Sequence, residues 1–531
     1  MDLYTSGHGR GVCCAPHSLA VEAGRAILAE GGNAIEAMIA MAAAVAVVYP
    51  HMNGIGGDGF WLIREPSGKI RALMAAGAAG ADAKPELYRD AGHDVIPSRG
   101  PLAALTVPGA IAGWMLALEA AKAYRGRLPL ADLLSAAIHH ASQGVVPARS
   151  FAACIGHVVE ELKAVPGFAD TFLLDGKPPP AGTLLKQPAL AEVLDQLAHA
   201  GLDDFYRGDI AREIAADLER VGSPVTRADL KACRARIAEP LAVKLAAATL
   251  YNTPPPTQGL ASLMILALFE RLGIREPDGF DHVHGLVEAT KRALRLRDNY
   301  ITDPRHLEHP PDRYLEREYL DAQAALIDRR RAASWHTPGD GGDTIWMGAA
   351  DASGLVVSYI QSLYWEFGSG VVLPRTGVLM QNRGVSFSLD PRAVNALEPG
   401  RLPLHTLNPA LAVLGDGRVM AYGTMGGDAQ PQIQATLFTR HVMYRQPLDE
   451  ALDAPRFLAG HTWGSRQSGL FVESRLDGNV IDRLISAGHE VTPLDQPYAD
   501  VMGHAGAVVL HPDGNLEAAH DPRADGGAAG V

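Results

Sequence analysis

Cysteine is scarce: Cys13, Cys14, Cys154 and Cys233 are the four in 531 residues, and two of them are adjacent. No CxxC pair occurs, which removes local support for a zinc ribbon or a dithiol redox motif. Idle or buried thiols in a reducing compartment are the simpler reading. Positive charge is also in deficit, with a net charge of −13. That argues against a nucleic-acid surface and against docking on anionic membranes, but not against a small anionic substrate in a locally positive pocket. The start of the chain has no basic stretch followed by an apolar core, so no signal peptide is read. The most apolar run, 37–48, is too short to span a bilayer and is followed by Pro50. A soluble cytoplasmic protein is expected. Neither the GxSxG nucleophile elbow nor the GxxxxGK[ST] phosphate loop occurs.

Apolar residues make up 47% and charged residues 20%, enough for a well-filled core. A helix is expected after Pro16, ending at Gly31-Gly32-Asn33. A second, 34–48, is apolar on nearly every face and should lie buried between layers. Strands 60–64 and 70–75 flank a turn at Ser67-Gly68. The stretch from about 109 to 330 reads as mostly helical. It includes an apolar helix 260–272 after Pro254-Pro255-Pro256-Thr257-Gln258-Gly259, and a long helix 282–300. Beyond it, strand signals recur at 344–350, 355–360, 370–373, 377–380, 411–414, 419–422, 507–510 and 516–520, with helices at 432–444 and 448–454. Hairpins beside long buried helices suggest face-to-face sheets with helices outside, an α+β arrangement of four layers, α-β-β-α.

Several motifs fall away on context. Gly54-Ile55-Gly56-Gly57-Asp58-Gly59 has dinucleotide-loop spacing but runs into a strand, so close backbone packing is the better reading. His284 and Glu288 are four residues apart, yet with His282 they share a helix with Lys291, Arg292, Arg295 and Arg297. That reads as a solvated face without a metal. His139-His140 is read the same way.

Thr344 follows a Gly/Pro-rich stretch and opens a strand. A cut between Asp343 and Thr344 would give one residue both a hydroxyl nucleophile and an α-amine base. Gly426-Gly427, in Tyr422-Gly423-Thr424-Met425-Gly426-Gly427-Asp428, runs from a strand towards a helix and can turn successive N–H groups to one oxygen. Each has a plainer alternative, a strand threonine and a glycine turn.

In combination these blocks resemble the γ-glutamyltranspeptidase family nearly end to end. The likeness is carried by Ile27 to Ala37, Asn53 to Phe60, Thr106-Val107-Pro108-Gly109 and Pro254 to Gly259. Phe367-Gly368-Ser369-Gly370, Gly423 to Gly427, Ala454-Pro455-Arg456-Phe457 and Asp521-Pro522-Arg523 complete it. The resemblance implies a four-layer αββα N-terminal-nucleophile (Ntn) hydrolase sandwich built from two self-processed segments, 1–343 and 344–531. It makes Thr344 the nucleophile, Ser362 the hydroxyl that holds its amine, and Gly426 and Gly427 the oxyanion donors. It requires no metal or organic cofactor. The partners it implies are a small amide substrate and the association of the two segments. A homo-oligomer of such heterodimers is an allowed assembly.

The departures from the family bear on substrate. Thr344-Ile345-Trp346 replaces the usual Thr-Thr-His. No cation stands near Ala76, where the family's carboxylate-binding arginine belongs. Arg383-Gly384-Val385-Ser386 replaces the block that reads the glutamyl amine, and His405-Thr406 replaces a serine pair. Glutathione is therefore not expected. Arg383, whose fork suits a carboxylate, is expected in the pocket with Asn382, Tyr364, His405 and Thr406. Tyr364-Trp365-Glu366 and Asn382-Arg383-Gly384 resemble the oxamate amidohydrolase branch, which implies hydrolysis of oxamate to oxalate and ammonia through a threonyl ester. A γ-glutamyl or cephalosporin-acylase-like enzyme, and an uncleaved non-catalytic relative, are the alternatives.

Overall fold

The computed structural model describes residues 1–335, 342–461 and 468–531. The Gly/Pro-rich run 336–341 ahead of Thr344 lies outside the described residues. Two seven-stranded sheets form the centre. The first runs in the order Tyr4–Gly7, Leu516–His520, Gly506–Leu510, Val419–Gly423, Ala410–Leu414, Ala248–Asn252, Leu241–Lys244. The second runs Gly527–Gly530, Gly11–Ala15, Asp343–Asp351, Val356–Tyr364, Asp58–Arg64, Ile70–Ala75, Arg236–Ala238. Neighbours in both are antiparallel.

Alternation along the strands sets the layers. Trp346 and Ala350 of one strand pack with Val12, Cys14, Phe60 and Leu62, and with Leu411, Val419, Ala421 and Val508 of the other sheet, filling the space between sheets. Ile345, Met347 and Ala349 point the opposite way, into a core made with the helices Ser18–Ala29 and Ala34–Val48. The outer face of the first sheet is covered by the helices Gly259–Leu272, Phe280–Tyr300 and Gln430–Phe438. This is the expected four-layer αββα sandwich.

The helix Ala34–Val48 is buried along its whole length, as its all-round apolarity predicts. Asn33 and Glu36 form a capping box at its start. The Gly54–Gly59 loop serves close packing: a Cβ on Gly56 would meet Leu379 O at 2.0 Å, and one on Gly57 would meet Ser362 O at 2.0 Å. Two blocks of the family likeness meet in one buried ion cluster. Arg456 pairs with Asp521 at 2.5 Å, while Arg523 pairs with Asp521 at 3.0 Å and with Glu473 at 2.5 Å.

The strand Gly11–Ala15 carries no sequence signal, because burial on both faces erases alternation. Two expectations are corrected. The stretches 370–373 and 377–380 are not strands but share one bridge, Val372 to Leu379. Gly370 and Gly377 sit at φ +76° and +64°, outside the extended region. The helix Phe280–Tyr300 does not present His282, His284, Glu288 and Lys291 to solvent. All four are buried: His282 against Phe269, Thr439 and Tyr444, and the others on the side that faces the three-stranded sheet of Phe457–His461, Ser468–Glu473 and Val491–Leu494 and the helix Gly478–Ser486.

Burial keeps several imidazoles neutral. Desolvation lowers His17 to about 4 and His520 to about 3, and holds His51 well below its ordinary 6.5. Since the folded values lie below the unfolded one, the unfolded chain takes up protons first as pH falls. The stabilisation is complete above about pH 6.5 and is lost between there and about 3–4, at about 1.4 kcal/mol per pH unit for each such group once it titrates. Urea midpoints at fixed ionic strength are expected to drop steeply between about pH 6.5 and 4.5; a flat profile would contradict this.

Candidate active site

Thr344 is buried at the second position of the strand Asp343–Asp351, and at this point the sheet loses register. Asp343 opposes Tyr364 and Ile345 opposes Gln361, so Ser362 and Leu363 together face Thr344. Such a bulge re-aims a side chain out of the ladder. Thr344 Oγ1 donates to Ser362 Oγ at 3.1 Å, and Ser362 Oγ also accepts the Tyr364 N–H at 2.8 Å. The Gln430 amide nitrogen reaches Thr344 Oγ1 at 3.5 Å from the first turn of the helix Gln430–Phe438.

Tyr364 ends its strand with φ +85°, a left-handed conformation uncommon for a residue with a side chain. Its ring carries the Arg383 guanidinium, 3.3 Å from the centroid. Arg383 is buried and donates from Nη1 to Thr406 Oγ1 at 3.1 Å. Thr344, Ser362, Tyr364, Arg383 and Thr406 thus follow one another by direct contact.

His405 lies beneath this row, with Nε2 3.0 Å from Asp58 Oδ2. Burial lowers its pKa despite the carboxylate, and the Arg383 charge adds to that. Asp58 Oδ1 accepts the N–H groups of Gly77 and Gly109, at 3.0 and 2.9 Å. The segment 74–78, where the family's arginine is expected, is therefore tied to Asp58 by its backbone and supplies no cation. Asn382 spends both ends of its amide on the scaffold: Oδ1 accepts the Trp365 N–H at 3.1 Å and Nδ2 donates to Ser98 O at 2.9 Å. It positions the Tyr364–Trp365 corner.

Gly426 and Gly427 have φ +112° and +53° and open the single turn Gly427–Ala429. Two consecutive left-handed residues require glycine here and curl successive N–H groups into an anion-accepting concavity. The turn is anchored from below. Gln258 Nε2 donates to Gly427 O at 2.8 Å and to Thr406 O at 2.5 Å. Its Oε1 accepts Arg297 Nη1 at 2.8 Å, and Arg297 forms a two-pronged pair with Asp428. One buried amide therefore fixes the glycine turn relative to the Arg383 partner. The sequence marks Gln258 only as part of a block; its role depends on groups 148 and 169 residues away. Gln430 carries no motif signal and emerges only from its place in space. Replacing Gln258 with leucine is expected to cost about 1–3 kcal/mol, because two carbonyls and an arginine lose a buried partner. Turnover should fall with it, and urea denaturation together with steady-state rates would measure both.

The family model for gamma-glutamyltranspeptidase matches residues 20–531. The chain belongs to the gamma-glutamyltranspeptidase family. Among relatives, it is 52% identical over 526 residues to the oxamate amidohydrolase proenzyme of Klebsiella pneumoniae subsp. pneumoniae, covering 99% of each chain. It is 38% identical to the glutathione hydrolase-like YwrD proenzyme of Bacillus subtilis, covering 97% of each. Its structure is similar to that of the cephalosporin acylase from Bacillus halodurans, with a TM-score of 0.89, 32% identity, and 99% and 96% coverage. Family membership makes this gamma-glutamyltranspeptidase relative a hydrolase acting on amide C–N bonds, with the Ntn-hydrolase fold. Among the described residues, no helix is long and apolar enough to cross a membrane.

Proposed function

We propose that the chain matures by cutting itself between Asp343 and Thr344 into segments 1–343 and 344–531, and then hydrolyses a short carboxylate-bearing amide, oxamate in first place. The observation that carries this reading is the run of contacts from the Thr344 hydroxyl through Ser362 and Tyr364 to the buried Arg383 guanidinium. In oxamate the carboxylate adjoins the carbonyl to be attacked, so a cation must stand close to the nucleophile. The 52% identity to an oxamate amidohydrolase proenzyme supports the same choice. The absence of a cation at 74–78 disfavours a γ-glutamyl substrate.

Before maturation, Thr344 Oγ attacks the Asp343 carbonyl carbon. The peptide nitrogen leaves as the Thr344 α-amine, and water opens the resulting ester. In the mature enzyme that amine titrates at about 7.7–8.0 unless perturbed, so enough is neutral near pH 7–8 to accept a proton. Thr344 Oγ attacks the amide carbonyl while its hydrogen passes to the amine, and Ser362 holds the pair in place. The oxyanion is held by the Gly426 and Gly427 N–H groups, worth about 3–4 kcal/mol per strong donor in other hydrolases. The amine returns the proton to the leaving nitrogen, ammonia departs, and water attacks the threonyl ester to release oxalate. Four thiols without a disulfide among them fit a reducing cytoplasm.

Ammonia release from a panel of oxamate, glutathione, glutaryl amides and simple neutral amides tests the substrate reading. Oxamate is expected to be turned over with the highest kcat/KM. Turnover of glutathione or of a glutaryl amide in its place would move the chain to the γ-glutamyl or cephalosporin-acylase type.

A further inference from the structure

His284 and Glu288 lie one helical turn apart on Phe280–Tyr300 and take no part in the site above. His489, from the turn after the helix Gly478–Ser486, joins them. All three are buried, and one ligand atom of each lies within 4.8 Å of the other two. We propose that His284, Glu288 and His489 form a divalent-metal site of the zinc class, separate from the nucleophile.

The hydrogen bonds already set the ligand atoms. His284 Nε2 lies 2.8 Å from Asp328 O. A carbonyl only accepts, so Nε2 carries the ring hydrogen and the Nδ1 lone pair faces inward. A backbone carbonyl on the far nitrogen is the usual outer support of a metal-bound imidazole. Nδ1 in turn meets His489 Nε2 at 2.8 Å. Two imidazoles can approach this closely only by sharing a hydrogen, here the one on His489 Nε2; a metal ion would take its place as His489 shifts to the tautomer with its hydrogen on Nδ1. Zn–N bonds of about 2.0–2.1 Å at a tetrahedral angle separate the two nitrogens by about 3.3 Å. The rings need to part by roughly half an ångström.

Glu288 supplies the third ligand. Its Oε2 accepts the Ala333 N–H at 3.1 Å, which fixes the carboxylate plane. Its Oε1 meets Lys291 Nζ at 2.7 Å. Lys291 also donates to Ala333 O at 2.6 Å, so the ammonium keeps an acceptor when an ion claims Oε1. Competition with Lys291 makes the ion's hold weaker than in a four-ligand structural site. A cavity of about 160 Å³, bounded by Lys291, Trp335, Gly469 and His489 among others, reaches the cluster at His489. His284 and Glu288 precede Thr344 in the chain and His489 follows it. An ion here would therefore bridge the two segments of the matured protein.

The test uses the full-length protein, stripped with a chelator and titrated with Co²⁺, then with Zn²⁺ in competition. One equivalent of Co²⁺ is expected to bind, with the intense visible bands of a low-coordinate ion, and Zn²⁺ should displace it and raise the thermal midpoint. His489→Ala and Glu288→Gln should each weaken Co²⁺ binding about tenfold or more, with circular dichroism and amide hydrolysis like the parent's. His489→Gln fills the space that alanine leaves and should weaken binding equally. Failure of the parent to take up one equivalent of Co²⁺ overturns the proposal. So does uptake that persists unchanged in both His489 variants.

Discussion

Replacing Thr344 with alanine is expected to leave one uncut chain of 56.3 kDa without amidase activity. The hydroxyl removed is the proposed attacking atom in both reactions, so loss of cutting and loss of turnover should arrive together. Removing a covalent nucleophile from a hydrolase costs on the order of 10⁶-fold in rate. The fold should survive: the methyl of alanine fits a buried strand position, and the hydrogen bonds that the hydroxyl makes with Ser362 and Gln430 tie together side chains of the site rather than the sheet ladder. Thr344→Ser keeps the hydroxyl and should retain both reactions at reduced rates. A denaturing gel and mass spectrometry decide the matter. Parent protein should yield fragments 1–343 and 344–531, the second beginning Thr-Ile-Trp-Met, and the alanine variant neither. An alanine variant that still divides at this bond would dismiss Thr344 as the cutting residue.

Arg383→Met should separate recognition from cutting. The proposed clamp touches the substrate carboxylate and has no part in self-cleavage, so the variant is expected to mature normally. Its kcat/KM for oxamate should fall by about 3–4 kcal/mol, about 10²- to 10³-fold, the range for removing one member of a buried charge pair. The control is an uncharged ester of oxamic acid, which offers the same amide without the carboxylate. On that substrate the loss should be small. Equal losses on both substrates would show that Arg383 merely supports the Tyr364 corner. Arg383→Lys restores the charge but neither the planar fork nor the stack on Tyr364, so it should recover only a minor part.

Much of this was legible in the residues because the signals were local. The strand at Thr344, the hairpin 410–423 and the buried helix 34–48 announce themselves through short-range pattern, and the glycines at 426 and 427 sit where two left-handed residues are required. What was not legible depends on contacts distant in sequence. Gln430 reaches Thr344 across 86 positions. The bonds of Asn382 to Trp365 and Ser98 span 17 and 284 positions. The charged face of 280–300 looked solvated because charge alone does not reveal a covering layer. Glu288 is paired within its own helix, but His489 approaches from 205 positions away. The strand 11–15 is silent for the opposite reason, since two covered faces erase alternation.

Strand order has a last consequence. Each seven-stranded sheet is woven from residues on both sides of Thr344, and the strand it heads is clasped between Gly11–Ala15 and Val356–Tyr364. Severing the backbone there frees a nitrogen without freeing a fragment, for neither piece can depart while the sheets stand. On the edge strand Gly527–Gly530, the Ala528 N–H bonds Asp2 O at 2.9 Å, so residues far apart in the chain are already neighbours in space. Joining that seam with a short linker and opening the gene at Thr344 would yield a permuted chain whose Thr344 amine is exposed once the initiator methionine is trimmed, with no cut of its own to make.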